Sequence, residues 1–147
     1  LTALRPRALE HERLGAILKA YLEQAGEEWP IDARLDYRVA EEPGSRVVLT
    51  IFRVLQAALD DVRRRAEATE VLVTVSPVDD GLLTEVRDNG PHRGGGQPTE
   101  ADLSVLEMRE RALSGAGWWE RDGQGEPGGT GNAVRFWLPL RLPGVVS

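Results

Sequence analysis

The sequence predicts an α+β fold in two layers, with a mixed, mostly antiparallel sheet that is covered by helices on one face. Residues 6–25 and 51–66 both have the apolar spacing of amphipathic helices. Residues 71–78 and 82–87 are two β-rich runs joined by a turn, as in a β-hairpin. Strands that are mostly linked by hairpins, with helices between them, favour two segregated layers in a single domain, residues 1–147.

Composition excludes several classes of protein. The chain has no cysteine, so it forms neither disulfides nor thiolate metal sites, and a cytoplasmic location is expected. Its two histidines, His11 and His92, do not have the spacing of zinc ligands. The net charge is −6, with acidic and basic residues interspersed, which argues against nucleic acid as a partner.

From its first residue, we expect the chain to be a fragment or processed piece of a longer protein. It begins at Leu1, and its only methionine is Met108. It has no signal peptide, and no apolar run approaches the roughly 20 residues of a membrane helix. We therefore expect a cytoplasmic segment, and the full-length protein has room for a membrane anchor upstream of Leu1.

The first two elements are a helix and a strand. The helix is predicted over residues 6–25, with Gly26 as its C-terminal cap. Its candidate core residues are Leu9, Leu14, Ile17, Leu18 and Leu22. Residues 31–39 alternate apolar and polar side chains, which predicts a half-buried strand. The side chains expected to face inward are Ile31, Ala33, Leu35, Tyr37 and Val39.

The second helix follows a turn, with Ser45 as its N-cap, and carries two distinct faces. Its apolar stripe is predicted to be buried and comprises Ile51, Val54, Leu55, Ala58, Leu59 and Val62. A separate face carries Ala57, Asp61, Arg64 and Arg65. A carboxylate one turn before two guanidiniums has the chemistry to hold a metal ion and the phosphates that it bridges. It also fits a solvated charge pair, and the helix alone leaves both interpretations open.

A hairpin and a loop follow. Residues 79–81 (DDG) predict the turn of the hairpin. Residues 88–98 are glycine-rich and polar, so they cannot pack a core, and a loop is predicted there. Residues 99–114 return to helical spacing, and Gly115 and Gly117 are expected to end that helix.

Two strands close the fold. The first begins at Trp118 and Trp119, which point to opposite faces of the sheet, so that one of them must be directed into the core. The other is expected to face solvent or a neighbouring domain. After a second glycine-rich loop, residues 133–140 (AVRFWLPL) predict the last strand.

Four partial motifs, in order, resemble those of the ATP-binding domain of sensor histidine kinases, a fold shared with gyrase and MutL. The family's N-box matches residues 56–66 (QAALDDVRRRA), and its D-x-G-x-G box matches residues 88–92 (DNGPH). The helix after the lid matches residues 104–111 (SVLEMRER), and the last glycine-rich turn matches residues 128–131 (GGTG). Residues 4–6 (LRP) match the motif that follows the dimerisation helices in one class of these kinases.

The resemblance implies a Bergerat-type fold that binds ATP and Mg²⁺, with a flexible ATP lid over residues 89–103. It implies that Asp88 accepts a hydrogen bond from the exocyclic amine of adenine, while Gly90 lets the backbone approach the base. Arg64 stands where the family has a phosphate-contacting lysine. The nucleotide-binding residues implied in this way are Asp88, Gly90, Arg64, Arg65, Gly129 and Thr130.

The departures from the family's motifs are concentrated where its chemistry takes place. Ala57 replaces the usual N-box glutamate, and alanine can neither accept nor relay a proton. Asp61 replaces the asparagine that ligates magnesium, although a carboxylate is itself a good Mg²⁺ ligand. His92 replaces a glycine, as do Ser104 and Glu107 in the lid motif. Glu107 is expected to repel phosphate unless the lid aligns differently, with residues 94–96 (GGG) as its flexible glycines.

The resemblance implies the catalytic domain of a two-component sensor histidine kinase, with degenerate motifs. Its phosphoacceptor histidine would lie in an upstream dimerisation domain, and the phosphoryl group would pass from that histidine to a response regulator. A homodimer would form only in the full-length protein. The departures leave open a pseudo-kinase module that acts as a partner-binding or nucleotide-gated scaffold. A serine kinase or anti-sigma-type relative of the same fold is the third hypothesis.

Overall fold

A five-stranded sheet with helices on one face forms the fold. The computed structural model of the protein describes residues 13–65, 67–91, 103–122 and 130–141. Their elements, in chain order, are α1 (Leu14–Glu28), β1 (Asp32–Tyr37), α2 (Ser45–Arg65), β2 (Glu70–Val78), β3 (Gly81–Pro91), α3 (Leu103–Ser114), β4 (Trp118–Arg121) and β5 (Thr130–Pro139).

The sheet is mixed and mostly antiparallel, in the order β1-β2-β3-β5-β4. Only β1 and β2 run parallel; each other neighbouring pair is antiparallel. Side chains that face the helices are buried, whereas alternate side chains reach the opposite, outer face of the sheet. The predicted α+β two-layer fold is therefore confirmed. In the part of the chain described, no helix has the length and apolar character needed to cross a bilayer.

Helix α2 lies at the centre of the helix layer. The whole apolar stripe predicted for it is buried: Ile51, Val54, Leu55, Ala58, Leu59 and Val62. Burying a valine, leucine or isoleucine side chain stabilises the fold by roughly 1.5–3 kcal/mol relative to leaving it in water. Hydrophobic burial along α2 therefore fixes which of its faces meets the sheet, and leaves the polar face for other contacts.

Helix α1 ends later than the sequence predicts. Gly26 is not its cap but lies inside it, and the helix continues to Glu28. The next residue, Trp29, donates its backbone N–H to the carbonyl of Ala25, which closes the last turn. Ala25 is buried, so packing extends the helix past the glycine. The helix also begins later than predicted, at Leu14, because the backbone of Arg13 is extended, and residues 6–12 of the predicted helix lie outside the described residues.

A carboxylate ties the beginning of α1 to the edge strand β1. Glu42 accepts a hydrogen bond from the backbone N–H of Leu14 at 3.1 Å and another from the phenol of Tyr37 at 3.0 Å. The first of these bonds satisfies a backbone donor that has no partner within the helix. Burial, reinforced by the bond to Glu42, raises the pKa of Tyr37, so its hydroxyl stays protonated and remains a donor.

The hairpin has the predicted turn, but its second strand is longer than predicted. Asp79 and Asp80 both have positive φ angles, 47° and 59°, as a two-residue type I′ turn requires. Strand β3 then runs to Pro91, although residues 88–91 were predicted to be loop. They remain extended because β5 pairs with them, Asp88 opposite Asn132 and Pro91 opposite Thr130, with an irregularity between the two pairs.

Helix α3 ends at Ser114, as predicted, in a Schellman-type arrangement. Ala116 has a φ of 66°, and Gly117 donates its N–H to the carbonyl of Ala112 at 3.0 Å. The left-handed residue is therefore an alanine. Gly117 is needed for a different reason, since a Cβ there would overlap the carbonyl oxygen of Trp137. The predicted start at residue 99 lies outside the described residues.

The paired tryptophans of β4 divide as predicted. Trp119 packs against the core, whereas Trp118 is 40% exposed at the edge of the sheet. Trp118 is opposite Trp137 of β5, whose indole N–H donates to the carbonyl of Val78 at 2.6 Å. Two paired tryptophans thus lie on the outer face of the sheet, and Trp137 ties them to the hairpin through its bond to Val78.

Substitution of Gly117 by alanine tests the close approach of the α3–β4 turn to β5. We expect Gly117→Ala to lower the free energy of unfolding by roughly 2–3 kcal/mol, because the new methyl group overpacks against backbone that cannot give way. Gly26→Ala is the matched control. Its Cβ meets only the carbonyl of Ile31 at 3.5 Å, so helix propensity should raise stability by about 0.5–1 kcal/mol.

Urea denaturation followed by circular dichroism measures both variants. Equal stabilities for Gly117→Ala and the wild type would contradict the close approach that the structure assigns to this turn.

Candidate functional site

Asp88 is a buried carboxylate near the end of β3. Only 5% of the residue is exposed, and by strand alternation it faces the helix layer, as Thr84 and Val86 do. Its Oδ1 atom accepts a hydrogen bond from the backbone N–H of Gly90 at 2.9 Å and another from Nδ2 of Asn132 at 3.1 Å. A buried carboxylate needs such donors, because leaving it unsatisfied costs free energy.

Gly90 stands where β3 closely approaches the segment between α2 and β2. A Cβ at this position would lie 3.1 Å from Oδ1 of Asp88 and 3.4 Å from the Cβ of Ala68. A side chain at this position would therefore press against both the carboxylate of Asp88 and the loop that contains Ala68. The glycine keeps the backbone N–H of residue 90 directed at Asp88, and brings the end of α2 to the same end of the sheet.

Asn89 points away from Asp88 and fixes that loop. Its Oδ1 atom accepts hydrogen bonds from the backbone N–H groups of Thr69 at 2.9 Å and Glu70 at 3.0 Å. Its Nδ2 atom donates to Oγ1 of Thr69 at 2.9 Å. One amide side chain thus holds three groups of the α2–β2 connection against β3, and residues 88, 89 and 90 have three different roles.

Asn132 of β5 is a site residue that the sequence analysis missed. Its Nδ2 atom donates to Asp88 and, at 2.9 Å, to the carbonyl of Pro91; the carbonyl of Gly90 lies 3.5 Å away. One signal was present in the sequence. By strand alternation Asn132 shares a face with Val134 and Phe136, so a polar side chain is directed inward in an otherwise apolar strand.

The residues predicted to contact phosphate lie on α2 and at the start of β5. Arg64 is largely exposed, and its guanidinium is 3.5 Å from Asp60, one turn earlier. An exposed pair of this kind stabilises a helix by only about 0.3–0.5 kcal/mol. Arg65 is the last residue of α2. Thr130 begins β5 opposite Pro91, and Gly129 lies outside the described residues.

The predicted metal ligand Asp61 is half-buried on α2. Within the described ranges, no group of three or more histidine, cysteine, aspartate or glutamate residues is placed to hold a metal ion. In nucleotide sites Mg²⁺ commonly takes one or two protein carboxylates and fills its remaining positions with phosphate oxygens and water. Asp61 has the chemistry to supply such a single ligand.

Ala57 opens onto a cleft of about 300 Å³ on the helix layer. The cleft is lined by Tyr21, Trp29, Arg53, Gln56, Ala57, Asp60, Arg63, Glu107 and Arg111. Glu107, expected to repel phosphate, is paired with Arg111, whose Nη2 and Nε atoms lie 3.0 and 3.2 Å from one carboxylate oxygen. Burial, followed by the charge of Asp60, raises the pKa of Tyr21 to about 12, so its hydroxyl is protonated at neutral pH.

A larger cleft, of about 430 Å³, lies on the other side of the sheet. Its walls include Arg34, Leu72 and Arg87, all on the outer face, together with Asn89. The carboxylate of Asp88 faces the helix layer instead, although its residue borders this cleft as well. We take the helix side as the candidate site because the carboxylate of Asp88 is directed there.

Solved histidine kinases have the same fold. Histidine kinase AdeS of Acinetobacter baumannii superposes with a TM-score of 0.64 and 15% sequence identity, covering 92% of this chain and 73% of that one. The mycobacterial sensor histidine kinase MprB superposes with a TM-score of 0.60 and 15% identity, covering 86% of this chain and 95% of that one. At these identities the likeness concerns the fold, and it is that of a histidine kinase catalytic domain.

The likeness extends to sequence. The chain is 28% identical over 113 residues to the sensor protein VraS of Staphylococcus aureus, a match that covers 77% of this chain. It spans only 32% of the length of that curated relative. No model of a known protein family matches the chain. Fold and sequence together confirm the resemblance to the ATP-binding domain of sensor histidine kinases.

Substitution of Asn89 tests whether its amide holds the α2–β2 connection in place. Asn89→Ala removes three hydrogen bonds and is expected to lower the free energy of unfolding by about 1–3 kcal/mol. Amide hydrogen exchange should accelerate at Thr69 and Glu70. Asn89→Asp, which keeps the acceptor, should retain much of the protection. Unchanged exchange at both amides in Asn89→Ala would mean that the loop is held by other contacts.

Proposed function

We propose that this chain is the ATP-binding catalytic domain of a two-component sensor histidine kinase. It would transfer the γ-phosphoryl group of Mg·ATP to a histidine outside this chain, in an upstream dimerisation and phosphoacceptor domain. A response regulator would then receive the phosphoryl group. The observation that carries the proposal is the buried, inward-facing carboxylate of Asp88 beside Gly90. The likeness to the sensor protein VraS supports it.

Base recognition follows from the chemistry of a fixed acceptor. An ionised carboxylate accepts hydrogen bonds and donates none, so Asp88 favours a base whose edge presents an N–H donor. The 6-amino group of adenine is such a donor, whereas a guanine held in the same orientation would present its 6-oxo acceptor to the carboxylate. For a base bound in that orientation, Asp88 would therefore favour adenine over guanine. Gly90 would leave room for the base beside the strand.

The triphosphate would lie towards the end of α2 and the start of β5. Arg64 offers a guanidinium that can contact two phosphate oxygens at once. The backbone amides of Gly129 and Thr130 are suited to the same anion. Asp61 would hold Mg²⁺, which would supply positive charge to neutralise the phosphates. In the transfer step a histidine nitrogen forms a bond to the γ-phosphorus while the bond to the bridging oxygen breaks and ADP leaves.

Most of this catalysis is positioning and charge neutralisation, so the chain need not supply a general base. This point matters at Ala57, where a methyl group stands in place of the family's glutamate. The carboxylates that share its cleft, Asp60 and Glu107, both form ion pairs with arginines. The proposal therefore assigns the transfer to binding and orientation, and a slow reaction is expected.

A second candidate function is that of a nucleotide-gated scaffold without kinase activity. The specific observation that favours it is again Ala57, because no proton acceptor is present at that position of the N-box. Incubating the full-length protein with γ-labelled ATP separates the two candidates. An acid-labile phosphohistidine supports the kinase, whereas bound nucleotide without transfer supports the scaffold.

Calorimetric titration with ATP and ADP tests the base site. We expect magnesium-dependent binding of ATP by the wild type, and a loss of roughly 10- to 100-fold in affinity for Asp88→Asn, which removes the charge of the acceptor. Asp80→Asn is the control, because it also replaces an aspartate by asparagine, but in the exposed turn between β2 and β3, at the opposite end of β3 from Asp88. An absence of heat at millimolar nucleotide in the wild type would refute the proposed function.

Restoring the family's residues in the N-box tests whether the substitutions at Ala57 and Asp61 weaken the metal- and phosphate-binding part of the proposed site. Ala57→Glu combined with Asp61→Asn should tighten Mg·ATP binding by about fivefold to tenfold, roughly 1–1.4 kcal/mol, because the two variants restore the residue types that the resemblance assigns to the metal's water shell and to Mg²⁺ itself. Gln56→Glu, which places the same charge on the neighbouring residue, should bring no gain. If the double variant binds no more tightly than the wild type, the assignment of residues 56–66 to the N-box is wrong.

A further inference from the structure

We infer that Asn132 is a positioning residue for base recognition: it orients the carboxylate of Asp88 and so determines how strongly the site prefers a 6-aminopurine. This inference rests on the proposed nucleotide binding, and it assigns a role to a residue that the motifs do not include. Asn132 acts through Asp88 and needs no contact with the nucleotide.

The geometry places Asn132 directly opposite Asp88 on the neighbouring strand. The two residues are register partners of β5 and β3, and both side chains face the helix layer. The amide nitrogen of Asn132 is 3.1 Å from Oδ1 of Asp88 and 2.9 Å from the carbonyl oxygen of Pro91. The amide therefore spans the irregular part of β3, from the carboxylate to the last residue of the strand.

The orientation of the amide is determined by its surroundings. The oxygen and nitrogen of an asparagine side chain are nearly alike in shape, and which is which must be inferred from the hydrogen-bond partners. The amide nitrogen of Asn132 faces a carboxylate oxygen and the carbonyl oxygens of Pro91 and Gly90, which are all acceptors. Only the nitrogen can face them, so Asn132 donates to Asp88.

Two donors on one oxygen fix the plane of the carboxylate. The terminal torsion of an aspartate is broad, so an aspartate with no directional partner samples many orientations. In this site Oδ1 receives both the backbone N–H of Gly90 and the amide of Asn132. Because these bonds arrive from β3 itself and from β5, they also fix the direction of Oδ2 without altering its charge. A ligand amine then meets an acceptor that is already oriented.

The consequence for selectivity follows from preorganisation. An oriented acceptor gains a full hydrogen bond from a 6-amino group, whereas a mobile one loses part of that gain in ordering itself. A purine without the 6-amino group makes no such bond, so the orientation of Asp88 does not raise the affinity for it. Removal of the amide of Asn132 should therefore weaken the binding of ATP and leave the binding of an analogue that has hydrogen in place of the 6-amino group nearly unchanged.

The test is a comparison of two nucleotides on three proteins. ATP and purine riboside triphosphate, which lacks the 6-amino group, are titrated with Mg²⁺ into the wild type, Asn132→Ala and Asn89→Ala. We expect Asn132→Ala to weaken ATP about tenfold and the analogue less than about twofold, so that the preference of the wild type for ATP nearly disappears. Asn89→Ala, which removes an amide of the same strand end directed away from Asp88, should keep the preference.

Each outcome decides between the inference and its alternatives. If the wild type binds neither nucleotide, the proposed function fails, whatever Asn132 does. If Asn132→Ala weakens both nucleotides by the same factor, the residue is only structural and the inference is overturned. Equal binding of ATP and the analogue by the wild type overturns it as well.

A second variant keeps the test valid if Asn132→Ala does not fold, as monitored by circular dichroism. Asn132→Ser retains a smaller donor in place of the amide. It should lose part of the preference for ATP, and an unchanged preference in a variant whose donor is displaced from Asp88 would contradict the inference.

Discussion

A carboxylate out of water must be satisfied by its neighbours, and the burial of Asp88 imposes this constraint on the end of the sheet. The donors come from Gly90, two residues on, and from Asn132 on the adjacent strand. To deliver them, β3 must remain extended beyond the hydrophobic part of the hairpin, and β5 must begin early enough to pair with it. The carboxylate of Asp88 thus depends on three features: the length of β3, its pairing with β5, and the absence of a side chain at Gly90.

The same constraint links the sheet to the helix layer. Asn89 fixes the loop after α2 while Asp88 faces inward, so successive residues of one strand hold two different elements. Helix α2 packs through its apolar stripe and Ala57, whereas Arg64 is exposed and Asp61 is half-buried. Packing therefore decides where the helix lies, and the proposed phosphate and metal contacts would come from side chains outside the core.

How much the sequence could predict depended on whether the signal was local. The stripe of α2 follows from a 3.6-residue period, and the DDG turn from the backbone preferences of its residues, so both predictions were correct. The extension of β3 to Pro91 was missed because Asp-Asn-Gly has the composition of a turn. Its strand conformation depends on pairing with β5, some 40 residues later in the chain, which no local pattern reports.

The candidate site divides in the same way. Resemblance to a family located Asp88 and Gly90, and the structure places them in contact. Asn132 was missed, because its role arises from register with β3 and it lies outside the motifs. Gly26 was taken for a helix end because glycine often caps helices, whereas burial of Ala25 carries α1 two residues further. The roles of Asp61 and Arg64 depend on a ligand, so neither pattern nor packing determines them.

The contact made by Glu42 has a mechanical consequence. Because one carboxylate joins the first turn of α1 to Tyr37 of the outermost strand, the point where the chain enters the described fold is not a loose hinge. A displacement of this first turn would therefore stretch two hydrogen bonds that end at the rim of the sheet, so the start of the helix and the outermost strand are expected to shift together.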